Sequence, residues 1–252
     1  MNDGNDTAGS AMTTNAATGH AGLPRRAMVL AAGFGKRLRP LTLSRPKPLV
    51  SVAGRTLIDR TLDRLEAVGV TDVVVNLHYR ADMLTEHLAG RRTPNITLSV
   101  EDELLETGGG VLNALDQLGP DPFLVVNSDM IWRDALTNTL ALMGRQFDAT
   151  KMDALLMMQP TITAHGYRGQ GDFHMDPAGR LARRKAPKVA PFLFSGVQIL
   201  RAEVFEGMTV EPFSLNRIYD QAQKDGRLFG PRHAAHWLDV GPPAGLPPPA
   251  RA

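Results

Sequence analysis

The chain has 252 residues, 43% of them apolar, which is enough to build a real core and sets it apart from a disordered tail. Lys and Arg number 28 against 26 Asp and Glu, a formal charge of +2, which argues against a dedicated polyanion binder. There is no cysteine, which excludes disulfide frameworks, thiolate zinc sites, iron–sulfur clusters and a cysteine nucleophile.

Residues 1–24 are small and polar, with one Leu and no aromatic residue, and are expected to form a flexible leader ahead of a body at 25–241. No run approaches 18 consecutive apolar residues and no secretory pattern opens the chain, so a soluble, cytoplasmic protein without membrane or nucleic-acid partners is expected. Apolar runs at 27–32 (AMVLAA), 72–77 (DVVVNL), 96–100 (ITLSV) and 123–127 (FLVVN) predict strands. The first two and the last are apolar on both faces, the pattern of buried parallel strands. Stripes at Leu57, Ile58, Leu62 and Leu65, at Met83, Leu84 and Leu88, and at Val111, Leu112, Leu115 and Leu118 predict helices between them. Gly69 and Gly90 stand where C-terminal caps belong.

Strand followed by helix over about the first 145 residues predicts an α/β fold, a mostly parallel sheet with helices on both faces. From Ala154 the rhythm changes to strands at ALLMMQP, GDFHMD and FLFSGVQIL, separated by turns and followed by a helix over 214–224. This half is expected to extend the sheet and close over a site. Five prolines within 242–249 predict a tail that neither continues a helix nor enters a sheet centre.

In such sheets ligands bind beyond the carboxyl ends of the strands. After the first strand comes Gly33-Phe34-Gly35-Lys36-Arg37-Leu38-Arg39-Pro40. Two glycines admit close backbone approach and three cations follow within six residues, the makings of a phosphate-handling loop. It is neither common nucleotide motif: Leu38 stands where the dinucleotide pattern has its third glycine, and Arg37 where a P-loop requires Ser or Thr. Pro46 and Pro48 flank Lys47 and stiffen its backbone, so a long cation is presented from a fixed point.

The unbroken string at 30–54, LAAGFGKRLRPLTLSRPKPLVSVAG, resembles the signature of the sugar-1-phosphate nucleotidyltransferases. The resemblance implies a GT-A-like, Rossmann-like fold with a mixed-sheet sugar-binding extension. It further implies displacement at the α-phosphorus of a nucleoside triphosphate by a sugar 1-phosphate, with release of pyrophosphate. Carried over, Ala31, Ala32, Gly33 and Gly35 wrap the nucleotide. Arg37 holds the β- and γ-phosphates and Lys47 the α-phosphate, as the catalytic pair.

Glu106-Thr107-Gly108-Gly109-Gly110 opens a helical stripe with bare backbone amides. It is either a capped helix start or, by resemblance, a loop that touches the base through Gly108 and Gly109 and the sugar through Glu106. Asn76 closes the second strand as turn chemistry or, by resemblance, as a base-reading residue. Asp129 follows an apolar strand and is a helix cap or a ligand for a hard cation. The resemblance supplies Asp239, in Trp237-Leu238-Asp239-Val240-Gly241, as its partner, so Mg2+ is the expected cofactor.

Asp172, Ser195 and Gly196 resemble lining residues of the sugar pocket; otherwise they are strand-edge polar residues and a bulge glycine. Arg180, Arg183, Arg184, Lys185 and Lys188 either help to hold the sugar phosphate or form a solvated loop, and without interleaved aromatics they do not make a nucleic-acid site. His233 and His236 stand three apart in an extended context with no third ligand and do not read as a metal pair. No Gly-x-Ser-x-Gly elbow supports a serine hydrolase.

Within the family, the Leu-Glu-Thr-Gly-Gly-Gly, Gly-Asp-Phe and Phe-Ser-Gly units are similar to those of the branch that uridylylates N-acetylmuramic acid 1-phosphate in cell-wall sugar recycling. That branch implies UTP and the sugar 1-phosphate as partners, in a monomer or small homo-oligomer. Mannose 1-phosphate guanylyltransferases share the first signature and are the alternative, and a non-catalytic sugar-nucleotide sensor is the reading from another class. Family members commonly continue past Asp-Val-Gly into a Thr-Pro start and a final helix, where this chain has Pro242-Pro243.

Overall fold

A computed structural model describes residues 22–240; most of the expected leader and the proline-rich tail lie outside the described residues. The first half runs β1 (Arg26–Leu30), β2 (Ser51–Val52), β3 (Arg55–Thr56), α1 (Leu57–Ala67), β4 (Asp72–Leu77), α2 (Ala81–Leu88), β5 (Asn95–Val100), α3 (Glu106–Asn113), α4 (Leu115–Leu118) and β6 (Phe123–Asn127). It continues through β7 (Met130–Trp132), α5 (Thr139–Gln146), β8 (Ala154–Pro160), β9 (Ala164–His165), β10 (Phe173–Met175), β11 (Leu181–Arg183), β12 (Phe192–Leu200), α6 (Asn216–Lys224), β13 (Leu228–Phe229) and β14 (Trp237–Asp239).

The central sheet has the order β11-β10-β12-β6-β1-β4-β5, with β8 and β13 continuing from β12. Strands β6, β1, β4 and β5 are parallel, and β12 joins β6 antiparallel, so the second half extends the same sheet. The chain passes from β1 to β4 on one side and returns to β6 on the other, which opens a crevice at the carboxyl ends beside β1. This is the α/β architecture with a mainly parallel core that the strand–helix rhythm predicts.

Strand alternation decides which helices cover which face. Ala27 and Val29 point to a core with Ile58, Leu62 and Leu65 of α1, Leu84 of α2 and Met143 of α5. Met28 points the other way, to Val111 of α3, Leu118 of α4 and Ile218 of α6. Each fully buried Leu or Ile contributes about 1.5–3 kcal/mol, so these stripes rather than helix propensity hold the layers. Helix α1 starts where Thr56 accepts the Asp59 N–H at 3.2 Å, and Gly69 follows it with φ +90°.

Three boundaries differ from expectation. Strand β1 ends at Leu30 instead of Ala32 because the Ala31 N–H is taken by the Asn76 side chain at 2.7 Å and not by a ladder carbonyl. The stripe from Val111 to Leu118 divides at Ala114 into α3 and α4, and the last helix begins at Asn216, two residues after the expected start. The body also begins early: Leu23 packs on the core beside Gly144, where a Cβ would lie 2.7 Å from the Leu23 Cα.

Candidate active site

A cleft of about 530 Å3 lies at the carboxyl edge of β1, β4 and β6. Ala31, Ala32, Gly33, Gly35, Arg37, Lys47, Asn76, Glu106 and Asp129 all line it, together with Lys36, Leu104, Thr107, Asn127, Ser128 and Ser214. Its floor is built by close backbone approach. Gly35 has φ +62°, and a Cβ there would lie 2.9 Å from both the Lys47 Cβ and the Thr42 Cγ2, so only glycine brings the loop onto the Pro-Lys-Pro segment. Leu38, fully buried with Val50, Val52, Leu57 and Val240, anchors the next turn and leaves Lys36 and Arg37 directed outward.

The charged groups converge. The Lys47 Nζ donates to Asp129 Oδ2 at 2.5 Å, with both side chains largely buried. Arg37 reaches Asp239 Oδ2 at 3.5 Å and Asp129 Oδ2 at 4.0 Å. Asp239 is delivered by β14, whose antiparallel register with β7 sets it opposite Met130, one residue from Asp129. Asp129 Oδ1 is buried and has no hydrogen-bond partner among the described residues. Glu106 holds φ +58°, a left-handed conformation that costs a non-glycine residue energy.

Several expected roles are corrected. Gly108 and Gly109 do not offer bare amides to a nucleotide: both N–H groups donate to the Phe213 carbonyl, at 2.8 and 3.2 Å. Their missing side chains admit the 211–213 segment, since a Cβ on Gly108 would lie 2.3 Å from the Phe213 ring and one on Gly109 2.2 Å from the Glu211 oxygen. That docking carries Ser214 into the cleft, a residue sequence reasoning missed because no local signal marks it. Ser195 is fully buried, donates its hydroxyl to the Met157 carbonyl at 2.8 Å, and is kept out of the cleft. Gly196, φ +89°, sits at the register shift between Phe194 and Gln198, where a Cβ would meet Met130 and Asn127, so it is the bulge glycine.

Asp172 is outside the cleft lining and accepts the Phe194 N–H at 2.9 Å across a strand edge. Tyr167 stands close by, its hydroxyl accepting the Gly171 N–H at 2.9 Å. Burial pushes its phenol above the ordinary value, and the Asp172 and Asp239 carboxylates add to the effect. Of the basic run, Arg183 pairs with Asp220 at 2.7 Å, Arg184 donates to the Gly171 carbonyl at 2.9 Å and Arg180 lies over the Phe229 ring. The three arginines are tied into the fold, and Lys185 and Lys188 are exposed. His233 faces Thr139 Oγ1 at 3.1 Å, and among the described residues no group of three or more His, Cys, Asp or Glu is placed to hold a metal.

A Rossmann-like sheet whose carboxyl edge carries a glycine loop, two convergent cations and two acids defines a nucleotide-handling transferase. The chain belongs to the nucleotidyl transferase family, whose sequence pattern matches residues 26–183. It is 40% identical to the N-acetylmuramate alpha-1-phosphate uridylyltransferase of Caulobacter vibrioides over 87% of this chain and 93% of that protein. It is 30% identical to the mannose-1-phosphate guanyltransferase of Neurospora crassa, over 86% of this chain and 61% of that protein. HddC from Yersinia pseudotuberculosis, solved with GMP-PN, shares the fold with a TM-score of 0.69 at 23% identity, covering 88% of this chain and 96% of that one. The chain is a sugar-1-phosphate nucleotidyltransferase.

Proposed function

We propose that the chain transfers the uridylyl group of UTP to N-acetylmuramic acid 1-phosphate, forming the UDP-sugar and releasing pyrophosphate, as a cytoplasmic step of cell-wall sugar recycling. The observation that carries this reading is the meeting of Arg37 and Lys47 at Asp129 beside the glycine loop. Similarity to the Caulobacter vibrioides enzyme, which extends over 93% of that protein, supports the sugar and the base. Among the described residues no helix is long and apolar enough to cross a membrane.

The attacking phosphate is ionised at neutral pH and no general base is needed; the barrier is repulsion between anions, which positioned charge lowers. Lys47, rooted in the floor between two prolines, stabilises charge on the α-phosphate. Arg37, at the cleft mouth, draws off the pyrophosphate. The backbone from Ala31 to Gly35 lies along the cleft wall and fixes the nucleotide.

Asp129 and Asp239 fit a hard divalent cation, Mg2+: both are carboxylates, and one Asp129 oxygen is buried without a partner. Bound there, such an ion neutralises phosphate charge. Asp239 reaches the site from the far end of the chain, and Arg37 lies within ion-pair distance of both acids.

The test is a matrix of four nucleoside triphosphates against several sugar 1-phosphates, read by pyrophosphate release. Turnover confined to UTP with N-acetylmuramic acid 1-phosphate is expected. Preference for GTP with mannose 1-phosphate overturns the substrate assignment in favour of the guanylyl reading, and nucleotide binding without pyrophosphate from any pair overturns catalysis in favour of a sensor.

A further inference from the structure

Behind the cleft wall, a carboxylate that does not line the cavity determines how its base side is assembled. Asn76, 2% exposed at the end of β4, accepts the Ala31 N–H on Oδ1 at 2.7 Å and donates from Nδ2 to Glu101 Oε1 at 2.7 Å. The second Glu101 oxygen accepts the Leu105 N–H at 3.0 Å, at the entrance to the turn that carries Glu106. The Glu101 backbone is tied in as well: its N–H donates to the Leu77 carbonyl at 2.8 Å, and its own carbonyl meets His78 Nδ1 at 2.9 Å. Glu101 is 3% exposed, and no Lys or Arg comes within ion-pair distance of it among the described residues. A buried carboxylate without a counter-ion is expensive, and it persists where neutral N–H donors satisfy it.

The donors dictate the residue type. The Ala31 N–H requires an acceptor, so the amide oxygen of Asn76 faces it and the amide nitrogen faces position 101. The Leu105 N–H also donates toward position 101. A side chain there must therefore accept on both of its terminal atoms, which a carboxylate does and an amide does not. Room for the relay comes from Gly110, where a Cβ would lie 2.7 Å from Glu101 Oε1 and 2.9 Å from Asn76 Nδ2. The third glycine of the triplet serves this relay, as the first two serve the 211–213 segment.

We propose that Glu101 is a positioning residue for nucleotide binding. It sets the orientation of the Asn76 amide and so fixes the first amide of the glycine loop, and through Leu105 it holds the turn that brings Glu106 into the cleft. The proposal rests on the reading of this cleft as the nucleotide site, and not on which base or sugar is used.

The test uses the full chain and the triphosphate that the parent protein accepts. In Glu101→Gln the new amide offers one acceptor and one donor, so either Leu105 or Asn76 loses its partner. The triphosphate KM should rise about tenfold or more, as one unmet buried donor implies, with kcat within about threefold of the parent because Arg37 and Lys47 are untouched. A second variant, Gly110→Ala, leaves both polar residues in place and sets a Cβ 2.7 Å from Glu101 Oε1 and 2.9 Å from Asn76 Nδ2, which forces the two apart. The same rise in the triphosphate KM, about tenfold or more with kcat within about threefold of the parent, is expected in Gly110→Ala.

An unchanged triphosphate KM in either variant would overturn the proposal, as would a fall in kcat as large as the rise in KM. If Glu101→Gln fails to fold, Gly110→Ala alone decides the matter by the same threshold. A parent that turns over a different nucleotide changes the substrate assignment and leaves this test intact; for a parent with no turnover, the triphosphate Kd replaces KM.

Discussion

Asp129 and Lys47 form the most buried ion pair of the cleft, and removing either partner has unequal consequences for the fold. Truncating one partner of a fully buried pair costs about 3–5 kcal/mol, whereas an exposed pair is worth about 0–1 kcal/mol. Side-chain exposures of 10% for Lys47 and 18% for Asp129 place this pair nearer the buried limit, with one side open to the cleft. In Asp129→Asn the Lys47 ammonium keeps a hydrogen-bond acceptor but loses the only acid within ion-pair distance of it among the described residues. The expected loss is about 2–3 kcal/mol.

In Lys47→Met the aliphatic volume against Gly35 is kept, and Asp129 retains the Arg37 guanidinium at 4.0 Å, which leaves an expected loss of about 1 kcal/mol. Urea midpoints followed by circular dichroism measure the difference. Pyrophosphate release should fall on the order of 10² to 10³ in Lys47→Met, the usual effect of removing one preorganised cation. Equal destabilisation by the two substitutions, or a reversed order, would refute the pairing scheme even if both abolish activity.

Two glycines of the site should separate stability from binding. A Cβ on Gly33 meets nothing within 4 Å, so Gly33→Ala should unfold at the parent temperature and raise the triphosphate KM; a parental KM would remove this loop from the nucleotide site. Gly109→Ala places a Cβ 2.2 Å from the Glu211 carbonyl oxygen and should cost about 1–3 kcal/mol in a urea titration, and no loss there would show that the 211–213 segment is not docked as described. Burial lowers the His233 pKa below its ordinary 6.5, so on acidification the unfolded chain takes up the extra proton first. The stability that neutral His233 protects is complete above pH 6.5 and falls as the pH drops below it; His233→Asn should flatten the dependence of the urea midpoint between about pH 7 and 5, and an unaltered slope would exclude the contribution.

Periodicity in the sequence exposes the layers because burial enforces it: Leu57, Ile58, Leu62 and Leu65 are all fully buried, and the β4 run DVVVNL is buried at all but its first residue. What periodicity does not carry is the competition between a side chain and the ladder for a backbone N–H. Asn76 wins Ala31 from the sheet across 45 residues, so β1 stops two residues short of its apolar run. The glycine triplet was legible as a special place and not for its reason, since the Phe213 carbonyl and the Glu101 carboxylate that require it come from about 100 residues downstream and nine residues upstream. Ser195 is a related case. A strand residue faces one of two sides, and the register shift beside Gly196 decides which side receives the Ser195 hydroxyl.

The three cations of the cleft each have a resting partner, and the partners differ in strength. Lys36 lies over the Phe34 ring at 5.4 Å, a ring held in turn by His78 and Tyr79. Arg37, 63% exposed, reaches Asp239 and Asp129 only at 3.5 and 4.0 Å, and Lys47 alone is nearly buried against its acid. Without these partners three like charges would repel within one loop, and the loop would adopt no single geometry. A phosphate chain would displace the first two at small cost, because cation–π contacts and exposed pairs are each worth about 1 kcal/mol. Lys47 is different. To turn from Asp129 to a phosphate it must leave a carboxylate that has one buried oxygen already unmet, so a second cation at that carboxylate lowers the cost of recruiting Lys47. The acid that pairs with Lys47 is thus the acid that the proposed divalent ion would share, and that is the physical reason to expect nucleotide and metal to bind together.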